Sequence, residues 1–137
     1  MDPYALLRTA RTIAVVGCSP RESQTSHYIA RYLIDAGYEV IPVNPHHDEL
    51  LGRPCYPDLV SIPGDVEIDI VNVFRRSNFT ADTVQDAAER SRSTGRQPVI
   101  WTQLGVHSME AQELAEQANL PYIASRCIMV DHGRMAA

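Results

Sequence analysis

Between Gly17 and Ser26 the chain sets hydroxyls, Ser19 and Ser26 among them, and one guanidinium, Arg21, among small and polar residues. Neutral hydroxyls beside a cation suit an anion, and the planar fork of arginine suits phosphate oxygens. The surrounding stretch, Ile13-Ala-Val-Val-Gly-Cys-Ser-Pro-Arg-Glu-Ser-Gln-Thr-Ser-His27, opens as an apolar, β-branched run and turns amphipathic afterwards, with Ile29, Leu33 and Ile34 on one helical face. A strand, a turn at Gly17 and a helix leave free N–H groups at the helix start, where a phosphate can sit. The stretch therefore predicts a nucleotide-type phosphate site. Ser26 reads equally as a helix-start hydroxyl satisfying backbone donors. Cys18 lies beside the same helix start, a position that lowers a thiol pKa.

Other reactive groups form weaker patterns. His46-His-Asp-Glu49 has the residue types of a metal cluster, but adjacent loop histidines seldom point the same way and no third ligand pattern accompanies them, so a surface loop is expected. Cys127, Asp131 and His132 have the types of a nucleophile system, yet nothing in the sequence makes them converge; a buried, inert Cys127 is expected. No catalytic residue and no metal site are predicted.

The elements that must position the loop alternate. Asp2 and Pro3 open a short helix running to Ala10. Thr12 to Val16 is a strand, Thr25 to Ala36 a helix stopped at Gly37, and Tyr38 to Val43 a strand ended by Asn44-Pro45. His46 to Pro63 holds no long element, only one short strand within Leu51–Pro57 and a turn at Leu59–Ile62. Ile68 to Phe74 is a strand with Arg75 and Arg76 at its end. Ser77 caps a helix from Phe79 to Ser93, closed by Gly95. Pro98–Trp101 is a strand, Ser108 caps a helix to Ala118, Pro121–Ala124 is the last strand, and Cys127–Met135 is a tail with one short element. Such alternation implies a three-layer, Rossmann-like α/β domain, a mostly parallel sheet with helices on both faces. Ligands of such sheets bind outside the carboxyl ends of the strands. Four loops lie there: Gly17–Arg21, Asn44–His46, Phe74–Arg76 and Gln103–Gly105.

Bulk properties narrow the partners. A chain of 137 residues reads as a single domain over 1–137. A net charge of −5 argues against nucleic acid or an anionic membrane as partner. No apolar run approaches the roughly 20 residues that span a bilayer, and no secretion signal opens the chain. Three cysteines without close spacing suit reduced thiols, so a cytoplasmic location is expected. All twelve basic side chains are arginine, which excludes lysine Schiff-base chemistry and a Walker-type lysine. Genomic base composition or a salty habitat accounts for an all-arginine set more readily than phosphate chemistry does.

NAD binding wants G-x-G-x-x-G after the first strand and a carboxylate at the tip of the second. Here Gly17 is followed by Ser19 and Glu22, and the second strand ends in Val43-Asn44-Pro45. For NADP an arginine is expected after that strand, where His46 and His47 stand. The chain instead resembles the CoA-binding domain family, small proteins with the fold of the N-terminal domain of the succinyl-CoA synthetase alpha subunit. The resemblance rests on Ile13-Ala-Val-Val-Gly-x-Ser-Pro-Arg21, Ile41-Pro-Val-Asn-Pro45, Leu51-Gly-x-x-Cys-Tyr-Pro57, Asp69-Ile-Val-Asn-Val-Phe-Arg-Arg76, Trp101-x-Gln-Leu-Gly105 and Arg126-Cys-Ile128. It implies that Gly17, Ser19, Pro20 and Arg21 surround the pyrophosphate of coenzyme A. It places Asn44, Pro45 and His46 beside the adenosine, Phe74 and Arg75 along the cleft, and Gln103 with Gly105 on the pantetheine arm. No residue matches the phosphorylated histidine of the synthetase, so its activity is not carried over. The expected function is noncovalent binding of CoA or an acyl-CoA without catalysis by this chain alone. Two rivals remain: a small NAD(P)-dependent oxidoreductase using the same cleft, and a subunit-like interaction module acting as a homo-oligomer or with a partner protein.

Overall fold

In the computed structural model, which describes residues 1–136, the elements run α1 (Pro3–Thr9), β1 (Thr12–Val16), α2 (Thr25–Asp35), β2 (Glu39–Val43), β3 (Glu49–Leu50), β4 (Arg53–Pro54), β5 (Ile70–Val73), α3 (Ser77–Thr94), β6 (Val99–Thr102), α4 (Met109–Gln117), β7 (Tyr122–Ile123) and α5 (Ile128–Ala136). Five strands form one parallel sheet in the order β2-β1-β5-β6-β7. The fold is Rossmann-like α/β. Because β1 leads outward to β2 on one side while β5 begins the march to the other, the chain reverses direction between β1 and β5. At that reversal the loops leaving the strands diverge and open a crevice.

Strand alternation sorts the core into two layers. One register row, Val40, Ile13, Ile70 and Val99, points to one face and packs with Leu7 of α1, Ile29, Ala30 and Leu33 of α2 and Ile128 of α5. The next row, Ile41, Ala14, Val71 and Ile100, points to the other face, under Ala81, Val84 and Ala87 of α3 and Ala111 and Ala115 of α4. Small residues on α3 and α4 let those helices lie close to the sheet. The strands are buried on both sides, which is why they read as unbroken apolar runs.

Three local expectations change. The His46–Pro63 segment holds a two-strand antiparallel hairpin, β3 with β4, rather than one strand. Its turn puts Leu51 and Gly52 at φ of 56° and 71°, a left-handed pair that a leucine does not advertise. The C-terminal stretch is a full helix, α5, because Ile128 finds cover beneath α1 and α2. Ser77 is the first residue of α3 and not its cap; Arg76 is the N-cap, and the Ser77 hydroxyl instead accepts the His107 N–H from the β6–α4 loop. The other caps follow the sequence. Asp2 accepts from the Tyr4 N–H, Ser108 from the Ala111 N–H, and α2 closes through Gly37 N–H to Ile34 and Tyr38 N–H to Leu33. No helix among the described residues is long and apolar enough to cross a membrane.

Candidate functional site

The crevice between β1 and β5 is closed at its base by backbone. Gly17 leaves β1 with φ of 86°, and a Cβ there would stand 3.2 Å from Arg75 Cγ and 3.4 Å from the Arg75 N atom. Only glycine combines that conformation with that approach. The N–H groups of Gly17 and Cys18 both donate to the Val43 carbonyl, so the loop begins pinned to the end of β2. Asn44 completes the anchor. Its Nδ2 donates to the Cys18 carbonyl at 2.9 Å and its Oδ1 accepts the His46 N–H at 2.8 Å. Both polar atoms of Asn44 thus serve the two loops, while Pro45 and His46 are exposed beyond it.

Above this base the loop turns back on α2. The Ser19 N–H donates to Ser26 Oγ at 2.9 Å, the Ser19 Oγ accepts the Arg21 N–H at 3.1 Å, and the Ser19 carbonyl lies 2.9 Å from His27 Nδ1. The two serine hydroxyls grouped by sequence as anion ligands are therefore first of all the internal bracing of the turn, and Ser26 is buried. What the loop leaves outward is different. The Thr25 and Ser26 N–H groups at the start of α2 have no backbone acceptor. Arg21 is exposed and makes no ion pair among the described residues.

Across the crevice, Phe74 is half-buried against the layer under α1, α2 and α5, and Arg75 is exposed with its guanidinium carbon 5.1 Å from the centre of the Phe79 ring. The stack holds Arg75 at the rim with its donors open. Strand β6 lies two strands from β1, roughly 10 Å along the sheet. At its tip Gln103 N–H donates to the Val73 carbonyl, its side chain is buried, and its Oε1 has no partner. Gly105 follows at φ of 88° and donates its N–H to Ser125 Oγ. Gly17, Ser19, Arg21, Asn44 and Arg75 are thus brought together at the reversal point, and Gln103 and Gly105 stand further along the same edge.

The thiols do not join this chemistry. Cys18 is fully buried and its pKa is pushed up to about 12, first by desolvation and then by neighbouring Cys55. Burial likewise raises Cys55. The helix-start effect expected for Cys18 loses to the dry layer its side chain enters. Cys127, Asp131 and His132 do not converge. Asp131 is taken by Arg126 at 2.7 and 2.9 Å, and His132 Nδ1 is 2.8 Å from the Tyr32 hydroxyl. His46, His47, Asp48 and Glu49 form no metal group, and no cluster of three or more such ligands occurs among the described residues. A groove between α3 and α4 carries Asp82, Asp86 and Glu89 against one Arg92, an acidic lining that repels phosphate. His27 is the site residue that the sequence did not mark.

Comparison with known proteins gives the family and the fold. A family model described as "CoA binding domain" matches residues 11–133. The chain is 40% identical over 127 residues to the uncharacterized protein YneT of Bacillus subtilis, covering 93% of this chain and 89% of that one. A hypothetical protein from Pyrococcus horikoshii shares the fold with a TM-score of 0.89 at 33% identity, covering 100% of this chain and 94% of that one. An ADP-forming acetate–CoA ligase of Methanocaldococcus jannaschii is 22% identical over 122 residues, which span 86% of this chain and 17% of the ligase.

Proposed function

The chain belongs to the CoA binding domain family, and from that premise we propose that it binds coenzyme A or an acyl-CoA noncovalently along the carboxyl edge of its sheet, over a single unit of residues 1–137. The observation that carries the reading is the crevice between β1 and β5, where Gly17 lies against Arg75 and the loop bearing Arg21 leads into α2 N–H groups without backbone acceptors, neither guanidinium making an ion pair among the described residues. Charge-assisted forks and helix-start N–H groups are the donors a pyrophosphate needs. Gly17, Ser19, Pro20 and Ser26 shape that pocket, Asn44 fixes its wall, and Pro45 and His46 offer surface to the adenosine. Phe74 lines the cleft. The pantetheine arm runs toward Gln103 and Gly105, where a buried amide oxygen without a partner supports a ligand hydrogen bond.

The chain alone performs no catalysis in this reading. Its cleft has donors and no activated nucleophile, and its unpaired thiols, Cys18 and Cys55 buried and Cys127 only half-buried where the sequence led us to expect burial, suit a reducing cytoplasm. The M. jannaschii ligase, of which this chain matches 17%, supports a second role, a binding module that presents CoA to a partner chain. Isothermal titration with CoA, acetyl-CoA, NAD and NADPH tests the proposal. Saturable uptake of CoA with NAD silent is expected; uptake of NAD or NADPH with CoA silent would overturn it.

A further inference from the structure

Resting on the phosphate reading of the β1–α2 loop, we propose that His27 is the positioning residue of that loop, acting through the peptide group of Ser19. Ser19 is held at both ends by consecutive side chains of α2: its N–H by Ser26 Oγ and its carbonyl by His27 Nδ1, each at 2.9 Å. A carbonyl only accepts, so the His27 ring donates from Nδ1. The other ring nitrogen, Nε2, is buried and has no partner. His27 is only 7% exposed, so a leucine would fill its place without burying the unpaired Nε2, but would leave the Ser19 carbonyl without its donor. Helix α2 gains little from the imidazole otherwise. Its packing face is Ile29, Ala30 and Leu33, and its first turn closes through His27 and Tyr28 N–H groups onto the Gln24 carbonyl.

The bond matters for an anion because of what it turns away. A carbonyl oxygen facing a phosphate repels it, while an N–H attracts it. His27 draws the Ser19 carbonyl in toward α2, and the Arg21 carbonyl is likewise engaged by the Gln24 N–H. With these two oxygens committed inward, the Thr25 and Ser26 N–H groups and the Arg21 guanidinium are left to the ligand. His27 touches no ligand itself; it orients the groups that do.

The test is a series at one position, read by CoA titration with thermal melting alongside. Asparagine places its Nδ2 where Nδ1 stands, glutamine carries its amide one bond further, and leucine offers no donor. His27→Asn is expected to bind CoA within about threefold of the unchanged protein, and His27→Gln and His27→Leu about tenfold more weakly, the loss expected for one misplaced hydrogen bond. The same losses are expected with dephospho-CoA, which keeps the pyrophosphate. Equal affinity across all variants would overturn the inference, and so would equal weakening by asparagine and glutamine, which would mean packing alone. The asparagine–glutamine pair decides the matter even if the leucine variant does not fold. Failure of the unchanged protein to take up CoA would instead overturn the phosphate reading itself, and the inference with it.

Discussion

Arg90 and the pair Arg21 and Arg75 are the same residue type in opposite circumstances. Arg90 lies buried in α3, and its guanidinium donates to four carbonyls, those of Leu59, Ile62, Pro63 and Val66. It ties the irregular 59–66 segment to α3, supplying a donor to the Ile62 and Val66 carbonyls and a second one to those of Leu59 and Pro63, which also accept backbone N–H groups. Burial pulls its pKa down, with Arg96 nearby adding to the effect. Arg21 and Arg75 sit at the mouth of the crevice with their forks unspent. An arginine whose donors are consumed by the chain's own backbone is architecture; one with open donors is free to take a ligand.

That contrast is sharpened most by Arg90→Met. The Ile62 and Val66 carbonyls lose their donor while those of Leu59 and Pro63 keep a backbone N–H, and we expect a loss on the order of 3–5 kcal/mol, seen as a lowered denaturant midpoint. Arg90→Lys, with a point charge in place of a fork, should recover only part of it. CoA affinity of the folded fraction should not change. Arg21→Ala and Arg75→Ala should do the reverse: stability within about 0.5 kcal/mol, and CoA binding weaker by roughly ten- to a hundredfold each, as for lost hydrogen bonds to a charged group. Comparable stability losses in both sets would break the distinction.

A smaller effect belongs to Asp86, which accepts the Leu59 N–H beside Arg90. Its pKa is raised above 3.8, chiefly by desolvation. A carboxyl that holds its proton more tightly in the folded chain favours folding below its unfolded pKa and loses that contribution as pH rises through the folded value. Asp86→Asn keeps an acceptor without the charge. Its melting temperature should therefore rise relative to the unchanged protein as pH climbs above about 4. The smallest expected effect is chemical. With its thiol pushed up to about 12, Cys18 should resist iodoacetamide between pH 7 and 9, as mass spectrometry of alkylated peptides would show.

The sheet was legible because its strands are buried on both faces and announce themselves as apolar runs, and because Gly37, Gly95 and Ser108 mark helix ends by mechanisms that act within four residues. What escaped depends on partners distant in sequence. Ser77 has the type of a cap, but its hydroxyl is claimed by His107, thirty positions away. Ser19 and Ser26 have the types of phosphate ligands, but the Ser26 hydroxyl accepts the Ser19 N–H seven positions back and the Ser19 hydroxyl accepts the Arg21 N–H. His27 showed no signal, since its acceptor is a loop carbonyl eight residues back and its value lies in which way that carbonyl points. Helix α5 shows a few apolar residues whose cover comes from α1 and α2.

The most direct test of the account is a map of backbone amide shifts as CoA is titrated into the labelled protein. One continuous track along the carboxyl edge is expected, strongest at Arg21 to Ser26, present at Arg75 and reaching Gln103 and Gly105. Shifts confined to the acidic groove of Asp82, Glu89 and Arg92, with the Gly17–Ser26 loop unmoved, would contradict it.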